Sequence, residues 1–374
     1  MAYYAGLDLH RSMSVVVVKD ERGRLVTQGR VTNDPVALEQ FFRCREGQPL
    51  HVALEATTNC TWMDETLEAL GCSVQVAHPL KVRAIASARI KTDRIDAGIL
   101  CDLLRGNLLP TSYVPPPPIR ALRELLRHRM RLVQDRTQVK NRLTTLLIKT
   151  NQTVPGTDPF GVKGRQLLSA LPLPPMLAWQ REDGLAQLAA LNQQIKRIDQ
   201  HLRHLAREFP DVPRLTAIPG ISIFSALLIL AEIGEIQRFP SAKQLVSDAG
   251  LAPGLYQSAN TRHGRGMTHQ GSRYLRWIVG EASQHVIRHP GPLRQAYGRL
   301  VRGKGHGKAL VAVARKLLVG LYHVLHDGQA FCPTVPMVLS AQRSPYTEAG
   351  RSRGRRNDWD LWRCIQLMCA GRHE

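Results

Sequence analysis

The chain has 374 residues, 43% of them hydrophobic, and carries 51 Lys and Arg against 30 Asp and Glu, a net charge of +21. That length supports a sizeable core and two or three domains, and the charge calls for a polyanionic partner. No run of 18 uncharged apolar residues and no basic, apolar leader occurs, so a transmembrane helix and a signal peptide are not expected and the protein is expected in the cytoplasm, around the bacterial nucleoid. The seven cysteines are odd in number, scattered and without a C-x-x-C, which argues against disulfides and for reduced thiols.

In chain order, Tyr3–Leu9 is an apolar run, and the β-branched stretch through Val15-Val16-Val17-Val18 predicts a second strand, separated by a turn at 20–23 from a third over Leu25–Val31. Asp34-Pro35 opens a helix to Phe42, with proline in the first turn. A buried strand over Leu50–Leu54 ends at Glu55, followed by a helix near Met63–Leu70, a short strand over Cys72–Ala77 and a helix over Leu80–Ser87. Lys91–Leu104 reads as a helix with Ile95, Ile99, Leu100, Leu103 and Leu104 on one face. Three hairpin-joined strands followed by alternating helices and strands is the order of an α/β, RNase H-like (RuvC-like) domain, assigned to residues 1–118.

Pro115–Pro118 predicts a stiff spacer. A long basic helix follows over Ile119–Lys149, then a Pro- and Gly-rich loop at 151–175, then a second helix over Leu185–Phe209. Its Leu188, Leu191, Ile195, Ile198, Leu202 and Leu205 fall near 3.5-residue spacing, so residues 119–210 are expected to form a coiled-coil stalk or an intramolecular hairpin. Residues 211–330 are assigned to a mostly α second domain. In it Ile218-Pro219-Gly220-Ile221 before Leu227–Ile233 suggests a helix-hairpin-helix, Gly250–Met267 a basic loop, Ser272–Ile287 a helix and Leu310–Leu325 an apolar helix. The Arg-rich tail at 331–374 is expected to be disordered.

Charge is segregated along this order. Residues 1–118 hold 13 basic and 13 acidic side chains, whereas 262–316 hold 12 basic and one acidic. Asp8 near the end of the first strand, Glu55 at the end of the fourth, and Asp93 and Asp96 at the start of a helix can converge on this topology. Clustered carboxylates suit a hard divalent cation such as magnesium, which can serve phosphodiester chemistry. The plainer alternative is four ordinary surface acids, with Asp93 as a helix cap. His10, close to Asp8, reads first as a structural histidine, with assistance to the metal site as the alternative. Arg262, His263, Arg265, Arg273 and Arg276 form a basic surface for nucleic acid, and Gly303–Lys308 fails the P-loop pattern, leaving Lys304 and Lys308 as flexible backbone contacts.

Gly6-Leu7-Asp8-Leu9-His10, Leu54-Glu55-Ala56-Thr57 and Lys91-Thr92-Asp93-Arg94-Ile95-Asp96-Ala97 resemble the N-terminal signature of the RuvC-like DEDD transposases of insertion sequences, the bridge-RNA-guided recombinases. Ile218-Pro219-Gly220-Ile221, Ala231-Glu232-Ile233-Gly234, Arg238-Phe239-Pro240-Ser241-Ala242 and Ala249-Gly250-Leu251-Ala252-Pro253 are similar to that family's C-terminal transposase domain. The resemblance spans about residues 1–325. It implies that Asp8, Glu55, Asp93 and Asp96 hold magnesium, and that a serine at the position of Ser258 attacks DNA and forms a phosphoserine link. It implies a bridge RNA as guide and donor and target DNA as substrates; four strand cuts with one active site per strand then call for a tetramer, a dimer of dimers. Ala259 stands where the family commonly has glycine. Thr261, Thr268 and Ser272 are neighbouring hydroxyls. A hydrolytic junction resolvase of the same N-terminal fold is the alternative activity.

Overall fold

A computed structural model describes residues 2–43, 47–86, 92–258, 261–267, 270–328 and 331, with the backbone alone at 255–258 and 261–266. It divides into two compact units, Met1–Pro116 and Pro117–Glu374.

The first unit is built on a five-stranded sheet in the order β3-β2-β1-β4-β5, from β1 (Tyr3–Leu9), β2 (Met13–Asp20), β3 (Leu25–Thr32), β4 (Leu50–Glu55) and β5 (Ser73–Ala77). β1, β2 and β3 are antiparallel, and β4 and β5 run parallel to β1. Helices α1 (Pro35–Phe42), α2 (Cys60–Ala69), α3 (Pro79–Ile85) and α4 (Asp93–Arg105) complete it. The expected strand order is therefore present, in a mixed α/β architecture compatible with a DEDD nuclease-like domain.

Alternation along the strands divides the work between the sheet's faces. Ala5, Leu7, Leu9, Val16, Val18, Leu38, Leu54 and Leu67 form one core. On the opposite face Val15 and Val17 pack on Ala97 of α4, and Ala53 and Ala77 pack on its Leu100 and Leu104. Gly6 permits that approach. A Cβ there would lie 2.0 Å from the Ala97 carbonyl oxygen and 2.6 Å from the Cys101 nitrogen, so any side chain would push α4 off β1. The α4 cap is Thr92, whose side chain accepts from the Ile95 amide; Asp93 is the first helical residue and is not the cap. Among the described residues Cys60, Cys72 and Cys101 are free thiols, and burial pushes Cys72 and Cys101 up to about 11.

The second unit opens with α5 (Pro117–Lys149). Pro117 and Pro118 belong to this helix rather than to a spacer, because a first turn needs no proline N–H. α6 (Val162–Ala170) interrupts the segment expected to be a loop. Its last turn is held by buried Arg181, which donates to the Leu171 carbonyl at 2.6 Å and to Leu168 at 3.5 Å. α7 (Pro175–Leu205) begins ten residues before the expected start, where apolar periodicity is weak. α5 and α7 run antiparallel, since Arg129 bonds Asp199, Arg136 bonds Asn192 and Arg142 bonds Gln187. Val139, Leu143 and Leu188 are buried between them, and a Cβ on Gly184 would press into Leu143 at 2.8 Å. The pairing described is thus an intramolecular hairpin.

Next come α8 (Val212–Thr216), α9 (Ile223–Ile233) and α10 (Ala242–Asp248). Gly220, at φ +86, makes the turn between α8 and α9, in keeping with the helix-hairpin-helix reading. The segment expected to be a basic loop is an antiparallel hairpin of β6 (Pro253–Ser258) and β7 (Thr261–Met267). Arg262-His263-Gly264-Arg265-Gly266 carries no alternating apolar residues, which hid the strand. α11 (Arg273–Val286), α12 (Pro292–Lys304) and α13 (His306–His326) close the unit. Lys304 ends α12 and Lys308 lies in the first turn of α13, on either side of Gly305 at φ +75, so the stretch read as flexible is a tight helix-to-helix corner. α13 is long and apolar enough to cross a membrane, but 56% of its most apolar stretch is buried, and it packs Val313, Leu317, Leu318 and Leu321 into the core with α9 and α11. Apart from Phe331, the tail assigned to disorder lies outside the described residues.

Candidate active site

The parallel register of β1 on β4 runs to Leu7 opposite Leu54, so the next residues, Asp8 and Glu55, emerge side by side on the face that α4 covers. α4 brings Asp93 to the same edge. His10, two residues after Asp8, completes a tight group. Its Nε2 lies 3.5 Å from Asp8 Oδ2 and 3.2 Å from Asp93 Oδ2, and one ligand atom from each of Asp8, His10 and Asp93 falls within 4.8 Å of the others. The turn that carries His10 is pinned, because its carbonyl accepts from Asn33 Nδ2 at 2.8 Å and from Asn59 Nδ2 at 2.9 Å. His10, expected to be structural, therefore stands between two acids. The sequence signal was its position two residues after Asp8, just past the end of β1.

Burial raises the Asp8 carboxyl above its usual range; His10 pulls it down, and Asp93, Asp96 and Glu55 push it further up. All four sequence-predicted acids thus act electrostatically on one point, with Asp8 the most enclosed and Glu55 and Asp96 outside the tight group. Accumulated negative charge around a half-buried carboxylate, with oxygen donors and one imidazole, is a donor set that a divalent cation fits.

The sequence-predicted residues of the second unit sit elsewhere in that unit. Ser258 is the last residue of β6 and pairs with Thr261 across the hairpin turn. Arg262 and Arg265 lie on β7; their side chains, like that of Ser258, are outside the described set, as are Ala259, Asn260 and Thr268. Arg273 is exposed at the start of α11, with its guanidinium 4.8 Å from the Tyr274 ring centre and 2.8 Å from the Tyr274 hydroxyl. Arg276 donates to the Ala249 carbonyl at 3.0 Å, a structural use of one arm of its fork. Lys304 and Lys308 are exposed.

The root of the hairpin is held by a network that sequence reasoning missed. Gly271 has φ +93, and a Cβ would fall 1.7 Å from the Asp248 oxygen, so only glycine fits. Ser272 caps α11 through the Leu275 amide and also donates to Glu232 at 2.9 Å. Glu232 is buried on α9 and accepts from Arg127 of α5 at 2.9 Å, while Arg123 donates to the Ala231 and Glu232 carbonyls. The apolar run around Glu232 was the available signal, since a lone acid in such a run has to be paired.

Two family models match the chain. One, described as a transposase of the DEDD IS110 type, covers residues 5–152 and includes all four acids. The second, described as "Transposase IS116/IS110/IS902 family", covers 212–299 and includes Ser258 and the hairpin. The chain belongs to the IS116/IS110/IS902 family of transposases. Relatives extend over nearly the whole length. The insertion element IS116 44.8 kDa protein of Streptomyces clavuligerus is 26% identical over 90% of this chain and 98% of its own. A putative transposase of Sinorhizobium fredii is 28% identical over 87% and 92%. The transposase for insertion sequence element IS1111A of Coxiella burnetii is 24% identical over 71% and 74%. The chain is accordingly an insertion-sequence transposase, an enzyme that cuts and rejoins DNA.

Proposed function

We propose that this transposase performs its strand exchange through a phosphoserine link at Ser258, with magnesium held by Asp8, Glu55, Asp93 and Asp96, and with a bridge RNA selecting donor and target DNA. The observation that carries the metal reading is the convergence of three other carboxylates on the half-buried Asp8. His10 joins these acids as a possible nitrogen ligand or as a partner that orients Asp8 and Asp93. The bound cation would supply charge neutralisation at the scissile phosphate.

The protein's own steps are few. Ser258 Oγ forms a bond to phosphorus as the bridging P–O bond breaks; the serine proton is lost, and the departing strand oxygen gains one to become a free hydroxyl. Attack by a hydroxyl of another strand reverses this, restores the serine and conserves the phosphodiester, so no ATP is needed. The acids lie in the first unit and Ser258 in the second, which makes cutting conditional on bringing the two together on DNA. Arg262, Arg265, Arg273, Lys304 and Lys308 supply cationic contacts to nucleic acid; Arg276 does so with the part of its fork not given to Ala249. Strand exchange between two duplexes involves four cuts, which favours a tetramer, with the α5–α7 region as the assembly and coiled-coil element.

The decisive test is to trap the reaction on a nicked duplex and map the protein–DNA adduct by mass spectrometry. An adduct on the peptide containing Ser258, absent from Ser258→Ala, is the expected result. Complete recombination without any adduct refutes the serine step. Sequencing of copurifying RNA tests the guide: an RNA encoded beside the gene supports it, and recombination by RNA-free protein overturns it.

A further inference from the structure

The acid site opens onto a groove of about 510 Å³ lined by Val15, Gln28, Gly29 and Arg30 on one side and by Thr92, Asp93 and Arg94 on the other. Strand register explains how this groove joins the site. Asp8 pairs with Val15, and Val15 pairs with Arg30, so the three side chains stand in one row across β1, β2 and β3 on a single face. Arg30 is therefore two strand spacings, about 10 Å, from Asp8. Arg94 follows Asp93 on α4, at the groove's other wall. Both arginines are exposed, and among the described residues neither has a hydrogen-bond or ion-pair partner.

An acid cluster by itself repels the phosphodiester it must cut, and the first 118 residues carry no net charge to offset that repulsion. Two free guanidinium forks beside the acids would correct it locally, because a planar fork matches two phosphate oxygens at once. We propose that the groove between β2, β3 and the start of α4 binds the sugar-phosphate backbone of the DNA strand entering the acid site, with Arg30 and Arg94 gripping phosphates flanking the one that is cut. This rests on the acids being the cutting site. Thr92 caps its own helix and Val15 offers only an apolar floor, so the charge contacts in the groove come from the two arginines.

The test uses the full-length protein and a fluorescent duplex bearing the terminal sequence of its own insertion element. Affinity is measured against salt for wild type, Arg30→Ala/Arg94→Ala, Arg30→Lys/Arg94→Lys, and Arg22→Ala as an exposed control on the far turn of the sheet. The alanine pair is expected to weaken binding about tenfold or more and to reduce the salt slope by about 0.9 per lost contact. The lysine pair should keep the slope and lose part of the affinity, and the control should match wild type in both. Unchanged affinity and slope in a normally folded alanine pair overturns the proposal. A defect confined to single-stranded RNA of the same sequence also overturns it, assigning the groove to RNA. Cutting that survives Asp8→Ala refutes the acid-site reading instead, and leaves the binding result to be judged on its own.

Discussion

The two units place the proposed reactive groups in opposite ways. In the first, Asp8, Glu55 and Asp93 are set by strand register and by one helix lying against the sheet, with Gly6 as the contact that sets its distance. In the second, Ser258 ends β6 of a two-stranded hairpin, and the chain that leaves the hairpin is tied down by Gly271, Ser272, Glu232 and Arg127. Register fixes side chains to a fraction of a strand spacing, whereas a hairpin tip inherits only the precision of its anchor. On the proposed reading, the cation site is built on a sheet and the attacking serine is placed on an extension.

Substitutions can sharpen this contrast. The largest effect is expected from Asp8→Ala or Asp93→Ala, which should lower recombination about 10³-fold, the scale lost with one pre-placed transition-state charge partner. Melting temperature should not fall, and undiminished recombination by either variant would remove the acids from the chemistry. Gly6→Ala should come next. It forces α4 away from β1 at a cost of about 1–3 kcal/mol, visible as a lower melting temperature, and it should cut recombination as well because Asp93 rides on α4. A variant of wild-type stability would show that the helix does not set the site.

Glu232→Ala should destabilise the protein by roughly 1–3 kcal/mol. That is less than a fully buried pair would lose, because Arg127 keeps 26% of its side chain exposed. Its larger signature should be slower adduct formation by Ser258, with Glu232→Gln restoring part of the rate by keeping the bond to Ser272. Loss of stability with adduct rate intact would break the link between anchor and hairpin.

The smallest effect concerns pH. Because burial and neighbouring acids raise the Asp8 carboxyl, the folded chain holds that proton more tightly than the unfolded chain. The resulting stability is full below the unfolded value, about 3.9, and is lost as pH rises through the higher folded value. Asp8→Asn should therefore melt at a higher temperature than wild type at pH 7 in a chelator, with the gap closing toward pH 4. Magnesium should stabilise wild type more than the variant. A gap that widens on acidification reverses the assignment.

Much of the first unit was legible because its strands are β-branched and its acids end them. Period and position agreed, and the antiparallel-then-parallel order followed. His10 was legible only in part, by its closeness to Asp8, since what fixes it in the site is the turn pinned by Asn33 and Asn59, a contact between distant residues. In the second unit the apolar stripes of α5 and α7 announced themselves. α6 did not, because its end is satisfied by Arg181 from another helix. The β6–β7 hairpin was hidden by a Gly- and Arg-rich strand without apolar alternation.

The boundary at Pro116 also orders events in time. Every strand pairing of the acid-bearing sheet lies within the first 116 residues, whereas the anchor of the hairpin joins Arg127 to residues as far on as Ser272. A ribosome adding about 5–20 residues per second releases the complete acid sheet on the order of ten seconds before Ser258 is made. If Ser258 is the attacking group proposed above, the nascent chain carries the acids without the serine during that interval and emerges beside its own template and message unable to form an adduct with either.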